Sequence, residues 1–203
     1  MLVNCVIGGG ETVLKISKSD VITLACEALN KGQLEESKEI IKVRYSFDMV
    51  ETKKRNFSRT KLLQIFIRDG FIDRYSGEKL IFPGALRVLS ELMPEEFPYQ
   101  EHWKMSECHI AWWQLFPTID HKVPIARGGD NDNENLVCTS MLRNSAKGNF
   151  LLEELKWELL PSGNYSEWDG LMYWFVQYVD ANRDLLECGY IKDWYKVVKN
   201  LKI

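Results

Sequence analysis

The sequence has few of the residues that several common kinds of protein site require. Among its 203 residues only three are histidines, and its five cysteines are scattered without a Cys-x-x-Cys pair. An odd number of dispersed cysteines predicts buried, reduced thiols and argues against a disulfide framework or a cysteine zinc site. The formal net charge of −3 also excludes bulk basicity as the basis of nucleic-acid binding, which would have to come from local patches.

The first residues lack the features of two further kinds of segment. Their apolar run carries no basic leader and is interrupted by glycines at positions 8–10, so we expect neither a signal peptide nor a membrane-spanning helix. The expected protein is cytoplasmic and has no membrane partner. No Gly-Lys-Ser/Thr or Gly-x-Gly-x-x-Gly pattern follows these glycines. A turn is therefore predicted there and not a phosphate-binding loop.

Periodic apolar residues predict helices through most of the chain. With 45% hydrophobic and 27% charged residues, the composition is that of an ordinary globular protein with one sizeable core. Ser19 or Asp20 is expected to cap the first helix and Gly32 to end it. The predicted helices cover residues 20–30, 33–45, 59–69, 83–93, 151–160, 168–186 and 191–201, and a hairpin is predicted over 2–7 and 12–16.

These patterns predict three regions along the chain. Residues 1–70 form a mostly helical N-terminal region, and residues 151–203 form C-terminal helices that pack on the centre. The central region, residues 71–150, contains an insertion at 80–117 that is rich in aromatic residues. The expected fold class is therefore α+β and mainly helical.

The densest group of polar residues lies in the centre, over residues 120–148. Asp120 and His121 end an apolar stretch that is typical of a strand, and a glycine pair then marks a turn. A second apolar run at 136–139 is predicted to pair back as the other half of a hairpin. A helix is expected to open at 143–147. A strand, loop, strand and helix in this order would direct several polar side chains at one point.

The spacing of these polar residues resembles the signature of the HNH endonuclease family. The matching positions are Asp120, His121, Pro124, Gly128, Gly129, Asn135, Leu136, Asn144 and Lys147. Nine positions agree in order and spacing, all of them between residues 120 and 147. The resemblance implies a small ββα-metal core, formed by the hairpin and helix, and the hydrolysis of phosphodiester bonds in DNA. Such a motif predicts a function only if its residues lie on the strands and helix that the pattern predicts.

The resemblance assigns a chemical role to three of these residues. His121 would be the general base that activates water, a task that suits an imidazole because it titrates near neutrality. Asp120 and Asn144 would be oxygen ligands of Mg²⁺ or Mn²⁺. Asn144 stands where many members have histidine, and its harder amide oxygen favours Mg²⁺ over Zn²⁺ and Ni²⁺.

Three further residues would support this chemistry by the same resemblance. Asn135 would hold the His121 strand in place through hydrogen bonds. Lys147 belongs to the catalytic set, and either Lys147 or Arg127 would contact phosphate. The alternative is that Asp120 and His121 merely end a strand as a hydrogen-bonded pair, and that Asn135 and Asn144 are turn and cap residues.

Many HNH proteins carry two Cys-x-x-Cys pairs that bind zinc, and this sequence has neither. Asp73 and Ser76 occupy the first pair of positions, and Ser140 and Arg143 occupy the second. Because all four ligands are absent together, we predict that no structural zinc is bound. An ion pair between Asp73 and Arg143 is the hypothesis for what occupies that space.

The best candidate for a nucleic-acid patch is the basic run at 53–61. Its cations are Lys53, Lys54, Arg55, Arg59 and Lys61. The alternative interpretation is a solvated loop and helix start, which is the common role of a charge run.

The insertion at 80–117 contains residues that suggest metal or base binding at first sight. His102 and His109 lie near Glu107 and Cys108, but the spacing fits no common ligand motif, so a structural or surface role is expected. Its tryptophans could stack on bases, although packing against the core is the predicted role.

Four functions remain compatible with the sequence. The first is a DNA endonuclease that uses Mg²⁺ or Mn²⁺, and the second is a nuclease for RNA or structured nucleic acid. The third is a nucleic-acid-binding module with an inactive site, and the fourth is a scaffold or partner subunit. The sequence does not predict the oligomeric state or a biological role.

Overall fold

A computed structural model describes residues 16–47, 49 and 56–201 of the chain. The chain divides into two compact units, Met1–Met49 and Val50–Ile203. In the first unit, helix α1 (Lys18–Asn30) packs against helix α2 (Leu34–Arg44). The cap of α1 is Ser17, whose hydroxyl accepts from the Asp20 N–H at 3.1 Å, so the cap predicted at Ser19 or Asp20 is wrong by a few residues. The hairpin predicted over 2–7 and 12–16 lies outside the described residues, apart from position 16.

The second unit combines helices with one small sheet. Its helices are α3 (Arg59–Arg68), α4 (Pro83–Leu92), α5 (Ala111–Gln114), α6 (Met141–Lys147), α7 (Leu152–Leu155), α8 (Met172–Ala181) and α9 (Gly189–Asn200), its strands are β1 (Pro117–His121) and β2 (Leu136–Ser140), and 3-10 turns occur at Ile125–Arg127 and Arg183–Glu187. The predicted mainly helical α+β class is therefore confirmed. Along the described ranges, no helix has the length and apolar character needed to cross a bilayer.

The main core of the second unit is aromatic and lies between α3, α4, α8 and α9. Phe82 is fully buried, and its ring centroid lies 5.0 Å from that of Phe175 and 5.3 Å from that of Trp194. Strand β2 contributes Leu136 and Cys138 to the same core, and burial raises the pKa of the Cys138 thiol. The sheet is therefore attached to the helical core through β2.

The aromatic insertion forms a second, smaller core. Trp112 is fully buried with Leu86 and Cys108, and its indole N–H donates to the Ser90 hydroxyl at 3.2 Å. Packing is therefore confirmed as the role of Trp112. His102 is exposed, and the His109 ring stacks on Phe97 with the two centroids 4.5 Å apart.

The free edge of β2 is closed by side chains, where a larger sheet would have another strand. The N–H of Cys138 donates to Asp69 at 2.8 Å, and the N–H of Ser140 donates to Asp73 at 2.9 Å. Arg68 donates to the carbonyl oxygen of residue 136 at 2.7 Å. A two-stranded sheet is marginal by itself, so these charge-assisted bonds brace the hairpin.

The same carboxylates are held by further bonds. Asp73 also accepts from the Thr139 hydroxyl and the Tyr75 N–H, both at 2.9 Å, and is fully buried. The predicted ion pair between Asp73 and Arg143 is wrong, since the two residues form no ion pair in the described structure and the Arg143 guanidinium lies 5.4 Å from the centre of the Trp157 ring. Backbone and hydroxyl donors on β2 satisfy Asp73 instead.

Two predicted helices in the C-terminal region are wrong in extent. The helix predicted over 151–160 ends after one turn because Lys156 adopts a left-handed conformation. The chain then runs alongside residue 74, where the N–H of Leu160 donates to the Arg74 carbonyl at 2.8 Å. The helix predicted over 168–186 begins only at α8, because Asp169 accepts from the N–H groups of residues 171 and 173.

Replacing Asp73 tests whether its carboxylate stabilises the hairpin. Asp73→Ala leaves the Ser140 N–H and the Thr139 hydroxyl without their acceptor, so we expect the free energy of unfolding to fall by about 3 kcal/mol. Asp73→Asn keeps one acceptor oxygen and should lose less. Urea denaturation provides the measurement, with the exposed Glu95→Ala as control, for which a change within about 0.5 kcal/mol is expected. Equal stability of Asp73→Ala and Glu95→Ala would contradict the proposed bracing.

Candidate active site

The candidate site lies where β1 ends and the hairpin loop begins. The strands are antiparallel, with Asp120 opposite Val137 and His121 opposite Leu136. The pairing continues one step into the loop, where the N–H of Lys122 donates to the carbonyl of residue 135 at 2.8 Å. Thus the predicted hairpin is confirmed, and its register presents the Asp-His pair at the end of β1.

Asn135 shapes the loop that leaves His121. Its amide nitrogen donates to the carbonyl oxygens of Val123 and Asp130 at 3.0 and 2.9 Å, and its amide oxygen accepts from the Val123 N–H at 2.9 Å. The loop passes so close to itself here that a Cβ at Gly129 would lie 1.9 Å from the Val123 carbonyl oxygen. Asn135 and Gly129 together therefore determine the path of the chain next to His121.

The carboxylate of Asp120 is held through a single oxygen. Its Oδ2 atom accepts from the Tyr75 hydroxyl at 2.7 Å and lies 2.9 Å from the Lys147 ammonium. Burial, followed by the charge of Asp120 and the hydrogen bond to it, raises the pKa of Tyr75, which remains a donor. In the described structure Oδ1 makes no protein hydrogen bond.

Lys147 is buried and joins α6 to β1. Its side chain is fully inaccessible, and besides the pair with Asp120 its ammonium donates to the carbonyl oxygen of His121 at 2.8 Å. In this conformation the Lys147 ammonium does not reach the surface, and the expected phosphate contact of Lys147 or Arg127 stays a prediction. Burial of a charge is tolerated only when it is paired and hydrogen-bonded, as it is here.

Asn144 lies almost one turn before Lys147 and also contacts β1. Its amide nitrogen donates to the Thr118 hydroxyl at 3.0 Å and to the carbonyl oxygen of Ile119 at 3.2 Å. Because the amide group is planar, its oxygen is directed away from these two acceptors. That oxygen, like Asp120 Oδ1, makes no hydrogen bond within the described chain.

His121 is oriented by a residue that the sequence did not single out. Its Nε2 atom lies 2.9 Å from the amide oxygen of Asn131, and its ring centroid is 6.0 Å from that of Phe57. Because the amide oxygen is an acceptor, Nε2 carries the proton, and in the neutral imidazole the lone pair is then on Nδ1. Neither Asn131 nor Tyr75 could be recognised from spacing, since each acts only through a contact with a residue distant in sequence.

The predicted nucleic-acid contacts that the structure describes already have protein partners. Arg127 pairs with Glu154 at 3.1 Å, and Arg59 pairs with Asp193 at 3.0 Å. Lys61 contacts the side chain of Asn133. Lys53, Lys54 and Arg55 lie outside the described residues. The basic run therefore stays a predicted nucleic-acid patch. Its two described cations, Arg59 and Lys61, already have protein partners.

The oxygen atoms available at the site suit a hard cation that keeps most of its water ligands. Asp120 lies on β1 and Asn144 is bonded to it, and among the described residues neither Asp120 Oδ1 nor the Asn144 amide oxygen accepts a hydrogen bond. Mg²⁺ commonly takes one or two carboxylates and completes its shell with water and phosphate. Within the described part of the chain, no group of three His, Cys, Asp or Glu side chains is placed to hold a metal. The oxygens therefore fit Mg²⁺ or Mn²⁺, bound by few protein ligands.

A scan against protein-family models and searches of curated proteins and solved structures find no match for this chain. The chemistry of the site is therefore inferred from its residues and their geometry.

Replacing Asn131 tests how His121 is oriented. A hydrogen bond from Nε2–H slows proton exchange with water, so we expect this proton to be observable by NMR in the unmodified protein and in Asn131→Asp, which keeps an acceptor. In Asn131→Leu the resonance should disappear. With three histidines in the chain, His121→Ala assigns the signal. Equal protection in Asn131→Leu would show that Asn131 does not hold the ring.

Proposed function

We propose that this chain is a Mg²⁺- or Mn²⁺-dependent endonuclease of the HNH kind that hydrolyses phosphodiester bonds in DNA. The observation that carries the proposal is the attachment of α6 to the end of β1. Asn144 and Lys147, on α6, bond to the strand that bears Asp120 and His121. Residues that are up to 27 positions apart in the sequence thus meet around one point, in the strand, strand and helix order of the family.

In this proposal His121 removes a proton from the attacking water. Asn131 occupies Nε2–H, so Nδ1 is the nitrogen that accepts the proton. Asn135 acts through the loop, because its three bonds to Val123 and Asp130 position the chain immediately after His121. The imidazole is thereby oriented before substrate binds, which reduces the entropic part of the barrier.

Asp120 and Asn144 would hold the divalent cation through one oxygen each. The bound cation would stabilise the charge that develops on the phosphate and on the leaving oxygen. Tyr75 and Lys147 both bind the opposite carboxylate oxygen of Asp120, so that Oδ1 is the oxygen left for a ligand. These two donors thus determine which oxygen of Asp120 would hold the cation.

Cleavage of a supercoiled plasmid with Mg²⁺ or Mn²⁺ tests the proposed reaction. His121→Ala removes the general base and should lower the rate about 10²- to 10⁴-fold. Asn144→Ala and EDTA should also abolish or strongly reduce cleavage, because each removes the cation or one of its ligands. The matched control is His102→Ala, which replaces an exposed histidine of the aromatic insertion and should cleave at the unmodified rate.

The same assay separates the proposal from its alternatives. Cleavage of single-stranded or structured RNA in preference to duplex DNA would favour the RNA nuclease. Binding without cleavage, unchanged by His121→Ala, would identify an inactive binding module. Absence of both activities across a salt titration would favour a partner subunit. Activity that survives both EDTA and His121→Ala would contradict the mechanism.

A further inference from the structure

We propose that Lys147 makes the binding of a divalent cation at Asp120 and Asn144 depend on a phosphodiester group, so that cation and nucleic acid bind cooperatively. The inference rests on the proposed function and specifies how its site is loaded. It assigns Lys147 a positioning and affinity-setting role, in place of the direct phosphate contact that its sequence position suggests.

The first support is the charge balance of the site. Asp120 supplies the only formal negative charge among the proposed ligands, since Asn144 is neutral. The Lys147 ammonium lies 2.9 Å from Asp120 Oδ2 and is fully buried, so water screens this pair only weakly. A cation approaching Oδ1 therefore meets a carboxylate whose charge is already offset.

The second support is that Lys147 is held in place by more than the carboxylate. Its ammonium also donates to the His121 carbonyl oxygen at 2.8 Å, within the hydrogen-bonded junction of α6 and β1. If the buried ammonium moved away from Asp120, it would lack a charge partner, and an unpaired buried charge strongly destabilises a protein. The ammonium thus stays beside Asp120 when the cation arrives, and the two positive charges repel one another.

A phosphodiester supplies negative charge in place of the Asp120 charge that Lys147 offsets. Its non-bridging oxygens are good ligands for Mg²⁺ and Mn²⁺ and complete a shell that the protein only begins. Because a ligand that raises the affinity for a second ligand is itself bound more tightly by the same factor, cation and nucleic acid must promote each other's binding. The cation would then be held firmly only when substrate is present.

A purely structural role for Lys147 makes a different prediction. If the residue only ties α6 to β1, removing its charge would destabilise the fold without changing the affinity of the correctly folded fraction for a cation. If it also sets the charge of the site, removing it would strengthen cation binding in the absence of nucleic acid. Cation affinity, measured directly, therefore separates the two roles.

The experiment measures Mn²⁺ binding by electron paramagnetic resonance on the full chain. All proteins carry His121→Ala, which should slow cleavage and leaves Asp120, Asn144 and Lys147 in place. Mn²⁺ is titrated with and without a saturating DNA duplex of arbitrary sequence, corrected for Mn²⁺ bound by the duplex alone. In this background the duplex should increase Mn²⁺ affinity at least about tenfold, the usual scale of coupling between two sites.

Lys147→Met should raise Mn²⁺ affinity without DNA at least about tenfold, because Asp120 then presents its full charge. It should also reduce the enhancement caused by the duplex. Lys147→Arg keeps the charge and should keep weak binding without DNA. Tyr75→Phe removes the uncharged donor to the same oxygen and should leave the enhancement in place. Circular dichroism and thermal unfolding establish that each variant is folded.

Two results would overturn the inference. The first is that the His121→Ala protein binds Mn²⁺ with the same affinity with and without the duplex. This measurement does not depend on whether any Lys147 variant folds. The other is a folded Lys147→Met protein with unchanged Mn²⁺ affinity. Cleavage by the unmodified chain together with either result would leave the proposed nuclease function intact. If cation and duplex bind cooperatively but the unmodified chain does not cleave, the nuclease proposal is contradicted and the inference about Lys147 stands.

Discussion

The buried ammonium of Lys147 connects the helix of the site to the strand that carries its chemistry. Its two partners, the Asp120 carboxylate and the His121 carbonyl, belong to adjacent residues at the end of β1. Breaking such a buried pair by removing one member costs about 3–5 kcal/mol, because the other charge is left uncompensated. Helix α6 is therefore fixed against β1, and Asn144, which lies almost one turn earlier, is fixed with it.

The hairpin in turn depends on the residues that follow α3. Asp69 and Asp73 accept from backbone N–H groups along the free edge of β2, while Arg68 donates to a carbonyl of that edge. Carboxylate and guanidinium groups thus provide the contacts that a third strand would make. These bonds place the turn that contains Tyr75 beneath the site, where its hydroxyl reaches Asp120. The bracing and the chemistry consequently share one short segment, residues 69–75.

Local patterns predicted the parts of the structure that local forces determine. Periodic apolar residues located α3, α4 and α9, and the glycine pair between two apolar runs located the hairpin. The same reasoning failed over 151–160, where bonds to Arg74 and a left-handed Lys156 override an amphipathic pattern. It also could not identify Asn131 as the partner of His121, because many Asn and Asp residues occupy that loop and only the folded chain determines which one meets the ring.

The described charges also indicate how such a protein would bind nucleic acid. Arg127 and Arg59 have carboxylate partners at 3.1 and 3.0 Å, so a phosphate must replace Glu154 or Asp193 to gain either cation. Exposed pairs of this kind contribute only about 0–1 kcal/mol and can exchange partners readily. In the proposed nuclease this exchange would release fewer counterions than an unpaired cation would, so these two arginines would add little to non-specific affinity. The proposed binding of cation and phosphate beside the Asp120–Lys147 pair would then supply a larger share of the affinity.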